Sequence, residues 1–144
     1  MRSLAALVLA LVFPVAVLAA PNMREGLWEI TTQTEIRGGP AMPNMGPQTI
    51  SQCFTRQDVE NPRSMIPAQS GCSIEDVESV GERVQWKLQC TAPIPAEGTG
   101  ETLYNGTSFT GTATMRTDLA GMKLEVATRY NGRRTGDCRP STNP

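Results

Sequence analysis

Four cysteines, Cys53, Cys72, Cys90 and Cys138, limit what this chain can fold into more than any other feature. An even count in an exported protein reads as two disulfides, and each bond forces two segments to be neighbours. Three pairings are open. Cys72 and Cys90 flank a hairpin expected to turn near Gly81, midway between them, so that the two face each other across paired strands. That pairing leaves Cys53 with Cys138, tying an early strand to the C-terminal end. The competing readings are a metal site or a redox pair. No Cys-x-x-Cys occurs, the chain has no histidine, and the spacings fit no zinc pattern.

The premise of export comes from the first residues. Arg2 supplies a positive start, Leu4 to Leu18 is an apolar run broken only by Pro14, and small residues follow. Cleavage is expected after Ala19, because Val17 and Ala19 are small and Pro21 disfavours a cut one bond later. The run is shorter than the ~20 apolar residues that span a bilayer. No lipobox cysteine follows it, and no later segment is apolar enough to span, so no transmembrane segment is expected after cleavage. The chain is therefore expected to divide into a signal peptide (1–19) and one disulfide-stapled β domain (20–144), with a periplasmic destination. Removing 19 of the 144 residues leaves 125, enough for one core. Without Arg2 there are 12 basic and 14 acidic residues, a formal charge of −2. That balance argues against nucleic acid or an anionic membrane as partner.

Side-chain alternation gives the fold class. In Gly26 to Ile36, Trp28, Ile30, Thr32, Thr34 and Ile36 share one face of a strand. Arg37 to Pro47 is a Gly/Pro/Met-rich loop, and Gln48 to Phe54 is a second strand. Thr55 can cap a short helix with Asp58 three residues on, and Pro62 limits that helix to a turn or two. Between Cys72 and Cys90, Val84, Trp86, Leu88 and Cys90 alternate cleanly. Ile74 and Val77 are out of phase, which implies a bulge near Asp76. Thr91 to Gly100, with Pro93 and Pro95, reads as a connection or an edge. Glu101 to Thr117 forms a hairpin about Asn105-Gly106. Gly121 breaks the chain again. Met122, Leu124, Val126, Thr128 and Tyr130 follow on one face, and Asn131-Gly132 reads as a turn or bend into the tail. Seven or eight short strands with one short helix make an all-β antiparallel meander, either a curled sheet or a small barrel.

The motifs in order are GLWEITT (26–32), a Met/Pro-rich loop, QCFT (52–55), Cys72 ahead of a strand, VQWKLQC (84–90), YNGTSFTGT (104–112) and GRRTGDC (132–138). Together they resemble the exported proteins of Gram-negative bacteria grouped as domain of unknown function 3617, over essentially the whole chain past the export signal. The resemblance implies a periplasmic location and no particular activity. A weaker likeness is to lipocalin-type barrels, which place Gly-x-Trp on the first strand and an Arg over the Trp ring. Gly26-Leu27-Trp28 with Arg133 or Arg134 can take those parts through cation–π packing, and such barrels hold apolar ligands.

Without histidine there is no Ser-His-Asp, Cys-His or His–metal site, and the carboxylates (Glu75, Asp76, Glu78, Glu97, Glu101) read as a solvated face rather than a catalytic pair. The expectation is a non-enzyme with no cofactor. Its inward face is expected to bind a small apolar ligand or lipid through Trp28, Trp86, Phe109, Met115, Leu124 and Tyr130. The alternatives are an envelope scaffold that binds a protein partner, and Cu(I) held by Met42 and Met45, with Met23 nearby.

Overall fold

A computed structural model describes residues 20–40, 46–66 and 70–139. The expected signal peptide (1–19) and the suggested copper ligands Met42 and Met45 lie outside the described residues. The strands are β1 (Gly26–Arg37), β2 (Gln48–Phe54), β3 (Cys72–Val80), β4 (Arg83–Cys90), β5 (Ala96–Tyr104), β6 (Ser108–Leu119) and β7 (Met122–Gly136). They form one antiparallel sheet in the order β2-β1-β7-β6-β5-β4-β3. The sheet is curled and does not close into a barrel: β2 and β3 remain its two edges.

The segment joining those edges crosses the open side. It starts with helix α1 (Arg56–Glu60) and continues as a 3₁₀ turn at Pro62–Met65. Thr55 caps α1 as the sequence implies. Its hydroxyl accepts from the Asp58 amide, and the Asp58 carboxylate accepts from the Thr55 amide at 2.8 Å. That pairing holds the Asp58 carboxyl below the usual carboxylate range, the Thr55 hydroxyl contributing most. Val59, Pro62 and Ile66 are buried, and Arg63 donates to the Ile74 carbonyl of β3. This strap thus rests on both edges of the sheet.

Both disulfides fasten an edge. Cys72 on β3 is bonded to Cys90 on β4, its direct cross-strand partner. Cys53 on β2 is bonded to Cys138, just beyond β7. The pairing favoured by hairpin geometry is the one found. The bulge in β3 also falls where the phase slip placed it. The register shifts between Glu75 and Glu78, and Asp76 adopts a φ of 46°.

Two readings are corrected. Thr91 to Gly100 is not a connection or an edge throughout, because β5 begins at Ala96 and lies between β4 and β6. Asn131-Gly132 does not turn the chain: β7 runs straight through it, with Asn131 paired to both Thr31 and Thr110. The two prolines that prompted the first reading lie just ahead of β5, and Gly132, which prompted the second, is a strand residue that leaves room for a neighbouring ring, as Gly100 also is. At the start of the described chain, the Met23 segment lies along the β5–β6 turn, where the Arg24 amide donates to the Gly106 carbonyl at 2.9 Å.

Candidate functional site

The concave face is built from aromatic rings seated on glycines. Trp86 pairs directly with Gly100, Phe109 with Gly132, and Tyr130 with Gly111. A β-carbon at any of these glycines would fall within 2.1 to 2.3 Å of the ring opposite. Each ring therefore occupies space that a side chain would otherwise fill, in a cross-strand contact of the kind that stabilises sheets. Phe109 stacks on Trp28 with centroids 5.4 Å apart, and Phe54 meets the Trp28 ring edge-on at 6.4 Å. Trp28 is fully buried, and its indole N–H donates to the Arg24 carbonyl at 3.0 Å. With Met23 and Tyr104, also buried, these rings seal one end of the face.

Toward the middle of the sheet the packing opens into a cavity of about 410 Å³. Its walls are Ile30 and Thr32 on β1, Ile50, Gln52 and Phe54 on β2, Trp86 and Leu88 on β4, and Thr102 and Tyr104 on β5. Phe109, Ala113 and Met115 on β6 and Val126, Thr128 and Tyr130 on β7 complete the sheet side. Ser64, Met65 and Ile66 of the strap cover it, and Met23 stands at the sealed end. No described lining residue carries a charge. The volume lies within the ordinary range for small-molecule sites, and an apolar lining with few polar groups is their usual composition.

Besides Thr32, Gln52, Ser64 and Thr128, the wall carries a hydroxyl pair. The Tyr130 hydroxyl lies 2.7 Å from Thr102 Oγ1 and donates to the Glu101 carbonyl at 3.3 Å. Burial pushes the Tyr130 phenol above its ordinary pKa, and burial pushes Tyr104 up to about 12. Both phenols are therefore neutral at physiological pH. Such a surface can bind an uncharged or apolar group and offer it a hydroxyl partner.

Of the residues expected to bind a ligand, Trp86, Phe109, Met115 and Tyr130 come together on this cavity. Trp28 does not line it, being sealed beneath Phe109 and Phe54. Leu124 lies two pairs nearer the β6–β7 turn, in a separate shallow groove with Gln89, Pro95 and Lys123. Met23, the outlying member of the copper set, is buried in the core. Alternation did not reveal Met65 and Ile66, because they lie in the strap rather than a strand. The apolar Met-Ile step just past Pro62 was the available signal. The barrel of the lipocalin-type likeness does not close, but Arg134 is the direct cross-strand partner of Trp28, with a largely buried side chain on the same face. Arg133 pairs with Glu29 at 2.7 Å, and Arg134 lies beside Gly26, donating to the Glu25 carbonyl and pairing with Asp137. The carboxylates set aside as catalytic candidates include Asp76, paired with Lys87 at 2.9 Å, and Glu101, paired with Arg83 at 3.1 Å.

Fold and site together define a class: a curled, strapped antiparallel sheet, disulfide-fastened at both edges, with an uncharged concavity. A family model described as "protein of unknown function (DUF3617)" matches residues 23–138. The chain belongs to that family, in agreement with the order of its motifs. No curated protein and no solved structure matches the chain.

Proposed function

We propose that this chain is a non-catalytic periplasmic protein that binds a small apolar molecule, or the acyl chain of a lipid, in the concavity of its sheet. The observation that carries this reading is the cavity of about 410 Å³ between strap and sheet, with no charged side chain among its described walls. A well-packed interior holds few voids larger than a water molecule. This concavity is partly open to solvent, so an apolar molecule entering it would displace water from a largely apolar wall. The two disulfides are compatible with an oxidising, exported location, and the motif resemblance favours the periplasm.

The test is a titration with a fluorescent fatty-acid analogue, together with native mass spectrometry of protein purified from the periplasm. Saturable binding is expected, along with a co-purifying apolar molecule. Replacing Ala113, which lines the wall, with Phe fills the chamber and is expected to weaken binding by about tenfold. Saturable binding unchanged in Ala113→Phe, or no binding by the parent protein, rejects this site.

A further inference from the structure

Three hydroxyls stand together where the cavity meets its sealed end. Thr102 on β5 and Tyr130 on β7 both pair with Gly111 on β6. Gly111 has no side chain, so the Tyr130 ring lies across β6; a β-carbon at Gly111 would fall 2.6 Å from the phenol oxygen. The ring thereby carries its hydroxyl over β6 to Thr102, 2.7 Å away. One step further along the same face of β5 stands buried Tyr104, paired with Phe109 in the aromatic seal. Its hydroxyl faces the same Thr102 oxygen, a contact that opposes the rise burial gives its phenol.

Where the hydrogens point follows from the far end of this chain. The Glu101 carbonyl can only accept, and Tyr130 donates its one hydrogen there at 3.3 Å. The hydrogen between Thr102 and Tyr130 is therefore Thr102's. The Tyr104 hydroxyl faces an oxygen whose own hydrogen is already used, so it donates to Thr102. Hydrogens run from Tyr104 to Thr102 to Tyr130 to Glu101, and each bond polarises the next. The Trp86 indole N–H is directed at the Tyr130 oxygen as well. All three hydroxyl hydrogens are thus taken up inside the protein, while the Thr102 and Tyr104 oxygens keep free lone pairs. Toward a ligand, this chain accepts and has no hydrogen to give.

We propose that the molecule held in this cavity is an alcohol, its hydroxyl donating to the Thr102 and Tyr104 oxygens at the sealed end. Its apolar chain then runs along the sheet toward Leu88 and Met115, which both pair with Gly98 further along β5. This specificity presupposes the ligand-binding cavity proposed above and adds the ligand's chemical class to it. A ketone, ester or ether brings another acceptor to oxygens that have no hydrogen to offer, and leaves buried lone pairs facing one another. A carboxylate adds a charge that no described wall residue balances. A fatty acid therefore enters by its tail and leaves its carboxylate in water at the open side.

The experiment is displacement of a bound fluorescent fatty-acid analogue by decanol and by its isomer methyl nonyl ether, which has the same atoms but no hydrogen to donate. The readout is the ratio of the two displacement midpoints, in which any general weakening of the cavity cancels. Decanol is expected to bind about fivefold more tightly than the ether. Thr102→Val keeps the shape, breaks the chain and frees the Tyr104 hydrogen, so the ratio is expected to fall to about one or below. Thr102→Ser, which restores the hydroxyl, is expected to keep the preference. Tyr130→Phe, which frees the Thr102 hydrogen, replaces Thr102→Val if thermal melting shows that variant to be unfolded, with the same fall expected. A probe that binds but is displaced equally by alcohol and ether overturns the alcohol assignment and leaves the cavity reading standing. So does a preference that persists unchanged in the variant that breaks the chain. A probe that the parent protein does not bind overturns both.

Discussion

The indole of Trp86 covers Gly100, its direct partner on β5, so closely that a β-carbon there would lie 2.1 Å from the ring. Trp86 is buried and cannot swing outward without opening the core. Gly100→Ala is therefore expected to destabilise the fold by about 1–3 kcal/mol, as overpacking does. Gly136→Ala, where nothing lies within 4 Å, should stay within about 0.5 kcal/mol of the parent. Urea denaturation of the two variants checks the contrast. Equal stabilities would mean that the ring does not depend on the glycine.

The same contact explains which parts of the fold are legible in the sequence. Alternation locates β1, β4 and the paired faces of β6 and β7, because a half-buried sheet writes its period into apolar side chains. The cysteine pairing is legible because Gly81 lies midway between Cys72 and Cys90. Pro93 and Pro95 hide the start of β5, and Gly132 misleads, since a glycine that clears a ring and a glycine that makes a turn look alike until the opposite strand is known. The site is half legible. Trp86, Phe109, Met115 and Tyr130 lie on the inward face that the sequence marks out. That Trp28 is sealed while Tyr130 lines the chamber depends on ring stacking and on the strap, neither of which has a sequence period.

The two disulfides are expected to contribute unequally. Cys53–Cys138 spans 85 residues and Cys72–Cys90 spans 18. The loop-closure model assigns about 4–5 kcal/mol to the longer loop and about 3 kcal/mol to the shorter. Paired Cys→Ser variants, compared by chemical denaturation, should lose stability in that order. The reverse order would show that native-state contacts at β3–β4, rather than unfolded-chain entropy, dominate.

The Thr102–Tyr130 hydroxyl pair stands on the cavity wall, with Thr102 buried and Tyr130 half-buried. Thr102→Val keeps the shape and removes one partner, at an expected cost of about 1 kcal/mol. Tyr130→Phe should cost a similar amount, because it also frees the Glu101 carbonyl. If the hydroxyls interact, the double variant will lose about 1 kcal/mol less than the sum of the singles. Strict additivity in a double-mutant cycle would sink the pairing.

Alkaline pH gives the last test, and the chain suits it because Tyr104 and Tyr130 are its only tyrosines. Burial raises both phenols above the ordinary value of 10.0, Tyr104 to about 12. In the folded state they hold their protons beyond the pH at which the unfolded chain releases them. Between pH 10 and about 12 the unfolded state therefore binds fewer protons, and stability falls as pH rises. The contribution is fully present below pH 10 and is lost as pH climbs through the folded values. Tyrosinate absorbance should rise late, and the thermal midpoint should fall across the same window. Tyr104→Phe should remove much of that fall, because a ring without an ionisable hydroxyl has no proton to lose. A native spectrum that titrates at the value of free tyrosine would show that these phenols are solvated and that the aromatic end of the sheet is not sealed.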